Sequence, residues 1–169
     1  GEAYVEWLTI KRVLDEKGEL THHVAVFSDI TARKAADGRI RHLALHDALT
    51  DLPNRALLTE RLEQSIIRAR RDRSCLGLMY FDLDKFKPVN DTFGHEVGDW
   101  LLKAVAGRVV GCIRESDTVA RLGGDEFVVL LPRLEKDTDA LAVAEKIRSA
   151  LGQPFIFADV SFEISASIG

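Results

Sequence analysis

Val119-Ala120-Arg121-Leu122-Gly123-Gly124-Asp125-Glu126-Phe127-Val128-Val129-Leu130-Leu131 is the stretch whose reading decides the fold. Two short runs of strand-favouring residues, 119–122 and 127–131, flank a glycine-led turn, so the segment reads as a β-hairpin. Upstream, residues 98–114 place Leu101, Val105, Val109 and Cys112 on one helical face, and residues 76–82 form the short apolar run of a buried strand. Downstream, the spacing predicts a helix over 138–151 with Leu141, Ala144, Ile147 and Leu151 inward, ended by Gly152-Gln153-Pro154. Then Val160, Phe162, Ile164, Ala166 and Ile168 alternate with Ser161, Glu163, Ser165 and Ser167, the pattern of one strand buried on one face. The order predicts an α+β protein with a ferredoxin-like βαββαβ core and helices on the sheet. In that topology the end of the first strand and the central hairpin turn lie side by side.

Further elements come before this core. Residues 4–14 and 20–28 flank Asp15-Glu16-Lys17-Gly18 and read as a second hairpin. An isolated hairpin is barely stable, so it belongs to a larger sheet or lies against something else. Asp29 or Thr31 can cap a helix running through Ile40, Leu43 and Ala44 toward His46-Asp47, weakened in its middle by Gly38. Asp51-Leu52-Pro53-Asn54 breaks it, and another helix begins near Asn54 with Leu58, Leu62 and Ile66 four apart. The arginines at 68, 70, 71 and 73 read as a solvated helix end.

Composition narrows the function classes. A chain of 169 residues that is 46% hydrophobic supports one full core plus an appendage. With 23 basic against 27 acidic residues the net charge is −4, which argues against the basic stripe of a nucleic-acid binder but suits a small nucleotide held by metal. Cys75 and Cys112 lack metal-ligand spacing and read as buried thiols of a reducing compartment. No apolar run is long enough to cross a bilayer, and the polar start Gly1-Glu2-Ala3 is no signal peptide. The expectation is a cytoplasmic segment without membrane contact of its own, whose parent protein can still be anchored upstream.

The chemistry concentrates at two places. Phe81-Asp82-Leu83-Asp84 puts carboxylates where a strand runs out, and the hairpin turn brings Asp125 and Glu126 beside it, a hard-oxygen set of the kind Mg²⁺ shares with water and phosphate. Taken singly, each of these acids is also an ordinary turn or loop residue. The stretch from Lys85 to Asp99 reads as a loop leading into a helix start, where backbone N–H groups and two lysines can hold phosphates. There Asn90 and Asp99 offer the donor and acceptor edges that read guanine, or serve as a turn former and an N-terminal helix charge.

The ordered motifs Asp47-Ala48-Leu49-Thr50-Asp51-Leu52-Pro53-Asn54-Arg55, Phe81-Asp82-Leu83-Asp84, Asn90-Asp91, Gly94-His95, Gly98-Asp99 and Arg121-Leu122-Gly123-Gly124-Asp125-Glu126-Phe127 resemble the GGDEF family of nucleotidyl cyclases, from Leu43 onward. Several motifs in order make a far more specific signal than any one alone. The resemblance implies a palm-type cyclase fold that condenses two GTP into cyclic di-GMP. It implies that Asp82 and Asp125, with the Leu83 carbonyl, bind two Mg²⁺ ions for which Mn²⁺ can substitute, and that Glu126 assists the metal or the attacking hydroxyl. Asn90 and Asp99 would recognise guanine, Phe86 and Lys87 would lie along the triphosphate, and Gly123 and Gly124 would let it approach the backbone. A homodimer would be required, each subunit contributing one GTP.

Arg114-Glu115-Ser116-Asp117 is similar to the RxxD pattern through which family members bind cyclic di-GMP as an inhibitor; on residue type alone it is equally a helix-end arginine followed by a turn aspartate. The first hairpin with Ser28-Asp29-Ile30-Thr31-Ala32-Arg33-Lys34 looks like the last strands and exit helix of a PAS sensor. The expected organisation is therefore PAS-like strands over residues 1–30, a signalling helix over 31–47 and a GGDEF domain over 48–169. That domain is expected to be C-terminally incomplete, since family members continue into a further helix and strand carrying phosphate-contacting basic residues. The competing expectation is a weakly active or inactive GTP- or cyclic di-GMP-binding module that controls a downstream phosphodiesterase domain.

Overall fold

The computed structural model describes residues 4–169. The first three residues, part of the expected 1–30 segment, lie outside the described residues. The chain divides into two units, one ending at Ala44 and the other spanning Leu45–Gly169.

In the first unit, β1 (Glu6–Leu14) and β2 (Leu20–Asp29) pair antiparallel, from Glu6↔Asp29 to Leu14↔Leu20. The Asp15 carboxylate closes the turn by accepting the N–H groups of Lys17 and Glu19 at 2.9 and 2.8 Å. Asp29 accepts the Thr31 N–H at 2.9 Å, where α1 (Thr31–Leu45) begins. Trp7, Ile10, Val26 and Phe27 of the hairpin and Ile40 and Leu43 of α1 are all exposed.

The second unit opens with α2 (Arg55–Asp72), whose N-cap Asn54 accepts the N–H groups of Ala56 and Leu57. A four-stranded antiparallel sheet follows in the order β4 (Thr118–Gly123), β5 (Glu126–Leu134), β3 (Cys75–Asp84), β8 (Ser165–Ile168). With α4 (His95–Val110) between β3 and β4, and α5 (Asp137–Leu151) between β5 and β8, this is the expected ferredoxin-like arrangement. The two-residue period sorts the side chains: Met79, Phe81, Leu83, Phe127, Val129 and Leu131 join Leu101, Val105, Val109, Ile147 and Leu151 in the main core. Val128 and Leu130 face the other way and pack with Leu58 and Leu62 of α2. Phe81 and Phe127, paired across the strands, stack at 5.3 Å.

Four readings need correction. The stretch after β3 is not a loop: α3 (Phe86–Phe93) forms there, and α4 begins at His95 rather than 98 and ends at Val110. The terminal alternation is not one strand. Instead, β6 (Phe155–Phe157) and β7 (Val160–Phe162) make a small hairpin, and β8 starts only at Ser165. Leu141 of α5 is 70% exposed, because the inward stripe runs through Ala140, Val143 and Ala144, one residue out of register with it. Cys112 is buried but Cys75, at the open start of β3, is exposed.

Candidate active site

Asp82 and Asp84 stand on the β3 face opposite the core, since Phe81 and Leu83 on the alternate positions are buried. Phe81 forms the last β3–β5 rung with Phe127, so Asp82 and Glu126 come directly after that rung on their two strands. Gly123 and Glu126 pair across the β4–β5 turn, leaving Gly124 and Asp125 at its tip. The turn depends on its glycines: Gly123 and Gly124 have φ of 143° and 53°, in the region side chains disfavour. The topology thus brings Asp82, Asp125 and Glu126 to one edge, as the hairpin reading expected.

The carboxylates there differ in their partners. Among the described residues, the side chains of Asp82 and Asp125 accept no hydrogen bond and form no ion pair. Glu126 accepts the Tyr80 hydroxyl at 3.3 Å. Burial, followed by the Glu126 charge, pushes the Tyr80 phenol up from its ordinary pKa. Asp84 is claimed by Ser165 and Ser167, whose hydroxyls hold its carboxyl below the usual range. Leu83 is 2% exposed with its side chain in the core, so its backbone carbonyl is the one oxygen it has to offer a metal.

The residues after β3 divide by depth. Phe86 is buried in the core, which leaves its backbone N–H as the group available to a phosphate, whereas Lys87 is exposed. Both belong to the first turn of α3, whose N–H groups have no partners within the helix. Asn90 leans over the first turn of α4: a methyl group on Gly98 would stand 1.9 Å from its Oδ1. Asp99, the next residue, is exposed. Asn90 and the Gly98-Asp99 step are therefore brought together, and a side chain at position 98 would have to push the Asn90 amide aside.

Arg121, within the hairpin motif, has a role that its sequence context does not announce. It is 9% exposed, and its Nε and Nη2 donate to the Gly124 carbonyl at 2.9 and 2.7 Å. Its Nη1 donates to Asp47 Oδ1 at 2.8 Å, and its backbone N–H donates to the Pro53 carbonyl at 3.0 Å. Asp47 also accepts the Thr50 N–H and hydroxyl at 2.9 and 2.6 Å. Burial opposes the Asp47 charge, yet the bonds from Thr50 and Arg121 together hold its carboxyl below the ordinary value. The Asp47–Arg55 motif is thus a brace for the turn that carries Asp125. The signal available beforehand was an arginine two residues before a glycine pair with an aspartate motif upstream, a pairing that only the fold reveals.

Arg114 and Asp117 lie away from this edge, after α4. Asp117 closes its own turn, accepting the Arg114 N–H at 3.0 Å while donating its N–H to the Arg114 carbonyl. Both residues line a cavity of about 280 Å³ together with Arg133, Asp139 and Lys146. Among the described residues no three His, Cys, Asp or Glu side chains form a ready metal cage, and no helix is long and apolar enough to cross a membrane.

The family profile described as "Diguanylate cyclase, GGDEF domain" matches residues 44–169. The chain is 46% identical over 160 residues to MucR of Pseudomonas aeruginosa, a bifunctional diguanylate cyclase/cyclic di-GMP phosphodiesterase, covering 95% of this chain and 23% of that protein. The solved GGDEF domain of TpbB from the same organism superposes with a TM-score of 0.71 at 44% identity, covering 73% of each chain. The coiled coil and GGDEF domain of DgcB from Caulobacter crescentus, solved with c-di-GMP, gives a TM-score of 0.75 at 26% identity over 83% of this chain and 75% of that one. The chain spans about a quarter of the length of the curated relatives MucR and TpbB, 23% and 28%.

Proposed function

The chain belongs to the GGDEF diguanylate cyclase family, and from that premise we propose that its second unit condenses two GTP molecules into cyclic di-GMP, releasing two pyrophosphates. The observation that carries the reading is the pair Asp82 and Asp125, two carboxylates at one edge with no protein donor on either among the described residues. Oxygen ligands of this kind, Asp82 exposed and Asp125 half-buried, suit Mg²⁺, which takes one or two carboxylates and fills its shell with water and phosphate; Mn²⁺ shares the preference. Asp82, Asp125 and the Leu83 carbonyl would hold two such ions, which supply charge stabilisation to the entering and leaving oxygens of an in-line displacement.

The chain's own groups do the rest. Gly123 and Gly124 let the triphosphate approach the turn backbone, and the Phe86 and Lys87 N–H groups with the Lys87 ammonium face its phosphates. Asp99 accepts from guanine's N–H groups while the Asn90 amide offers both a donor and an acceptor. Glu126, steadied by Tyr80, assists the metal or the attacking hydroxyl. Each 3′-oxygen bonds to the α-phosphorus of the nucleotide on the opposing subunit, the hydroxyl proton departs, and the bond to pyrophosphate breaks. The protein therefore acts as a homodimer. Below the dimer dissociation constant the rate should rise with the square of protein concentration, with two pyrophosphates per cyclic di-GMP. A linear rise, or one pyrophosphate per product, contradicts the reading.

Gly98→Ala tests the guanine site. The added methyl must displace the Asn90 side chain, while alanine is otherwise the better helix residue. The expected result is a rise in KM for GTP of about tenfold and a weaker preference for GTP over ATP, with little change in melting temperature. Arg114 and Asp117, with Arg133 and Lys146 around the same cavity, form the site where cyclic di-GMP inhibits, three cations facing a ligand with two phosphates. Residues 1–30 are read as the end of a PAS-type sensor and 31–47 as the helix that transmits its state to the cyclase over 48–169. The likeness to MucR, named as bifunctional, favours a second reading in which the GGDEF unit binds nucleotide to control a phosphodiesterase domain of the same protein.

A further inference from the structure

Two strands part at the end of the site edge. Asp84 is the last residue of β3 and Ser165 the first of β8, and they form one rung, with Asp82↔Ser167 the rung two residues back. Ser165 and Ser167 lie on the same face of their strand, and each hydroxyl donates to a different oxygen of Asp84, at 2.5 Å to Oδ2 and 2.8 Å to Oδ1. Ser167 stands opposite Asp82 yet spends its hydroxyl on Asp84. Asp82 consequently keeps both oxygens free of protein donors among the described residues.

The residue that follows the clamp is Lys85, at φ 62° and ψ 24°, a conformation that a non-glycine residue holds only when its surroundings enforce it. On one side of Lys85 stands the clamped Asp84. On the other stands Phe86, 7% exposed in the core. The two anchors fix the turn that sets the first N–H groups of α3 relative to Asp82.

We propose that Asp84, held by Ser165 and Ser167, is a positioning residue: its clamp fixes the β3–α3 junction, so that Asp82 and the leading N–H groups of α3 address the same Mg²⁺·GTP. This rests on reading Asp82 as a metal ligand and the start of α3 as a phosphate site. It also assigns unlike tasks to the two aspartates of one motif, one left open for the ligand and the other consumed in holding the frame.

Three variants test it with two readouts. Asp84→Ala removes the acceptor, and the double variant Ser165→Ala/Ser167→Ala removes both donors. Asp84→Asn removes the charge but keeps an amide that can still bond the serine hydroxyls. Amide hydrogen exchange in the nucleotide-free protein should quicken about tenfold at Asn90 and Asp91, whose N–H groups bond back to the first turn of α3, in the first two variants, with the middle of β3 unchanged, and stay near wild type in Asp84→Asn. Calorimetric affinity for Mg²⁺·GTP should fall about tenfold in the first two and within about threefold in Asp84→Asn. Unchanged exchange in Asp84→Ala overturns the proposal. So does an Asp84→Asn variant as impaired as Asp84→Ala beside a serine variant that binds like wild type, since Asp84 would then act through its charge. If the wild-type protein binds no GTP, the nucleotide reading fails, and the exchange data still decide the clamp.

Discussion

Asp125→Ala is expected to abolish cyclic di-GMP formation, lowering turnover by at least about 10³-fold while leaving the unliganded protein as stable as wild type. The first half follows from its place at the tip of the β4–β5 turn, one of two carboxylates at the edge with no protein donor among the described residues. A metal that takes only one or two protein carboxylates loses about half its protein ligands with this change, and charge stabilisation in the displacement goes with it. The second half follows from the same isolation. A side chain that makes no hydrogen bond in the fold has none to lose, and removing its charge beside Asp82 and Glu126 relieves like-charge repulsion. Melting curves separate the two. Mg²⁺·GTP should raise the wild-type midpoint by mass action and leave the variant's where it was. Asp125→Glu, which keeps a hard oxygen ligand, should retain activity.

Arg121→Ala should damage both stability and catalysis. The guanidinium is nearly buried, bridges Asp47 to the Gly124 carbonyl and shares β4 with a backbone bond to Pro53. Its removal leaves Asp47 with Thr50 alone and the Gly124 carbonyl without its donors. Losing one partner of a buried pair costs several kcal/mol, and because Asp47 is 20% exposed and keeps two donors, about 2–3 kcal/mol is expected. That is a fall of roughly 10 °C in Tm. Turnover should drop about 10- to 100-fold at temperatures where the variant is folded, because the turn that aims Asp125 has lost its brace. Arg121→Lys supplies one donor where the fork supplies several and should fall in between. The link also has a pH signature. A carboxyl held below its ordinary value contributes stability that is fully present above the unfolded pKa, about 3.9, and is lost as pH falls through the lower folded value. Wild type should therefore lose more stability than Arg121→Ala on acidification below about pH 4.

Much of this was legible from the residues. Periodicity located the strands on either side of the Gly123-Gly124 turn, the helix capped by Asn54 and the order of the core. The helix α3 was not legible because Pro88, Asn90 and Asp91 all argue against a helix interior. Pro88 is tolerated since it sits in the first turn, where its missing N–H has no helical partner. What holds the helix is tertiary: Phe86 enters the core and Phe93 meets Phe162 edge-on at 5.1 Å. The β6–β7 hairpin was hidden for a related reason. Its turn residues Ala158 and Asp159 both have positive φ, at 44° and 68°, without the Asn-Gly signature such turns usually carry. Ile164 stays buried across the break, so the alternation continued while the strand did not. At the site, the acidic residues were visible in the sequence, but their division of labour was not. Nothing in Asp82-Leu83-Asp84 says which aspartate the serines of β8 will claim, because that depends on a register set some eighty residues later.

The measurement that bears most directly on the central claim is chromatographic detection of cyclic di-GMP after incubating the purified protein with GTP and Mg²⁺, beside Asp125→Ala. Cyclic di-GMP from wild type and none from the variant is the predicted result. A wild-type protein that leaves GTP intact, or a variant that still makes the product, would contradict the assignment of this edge as the catalytic site.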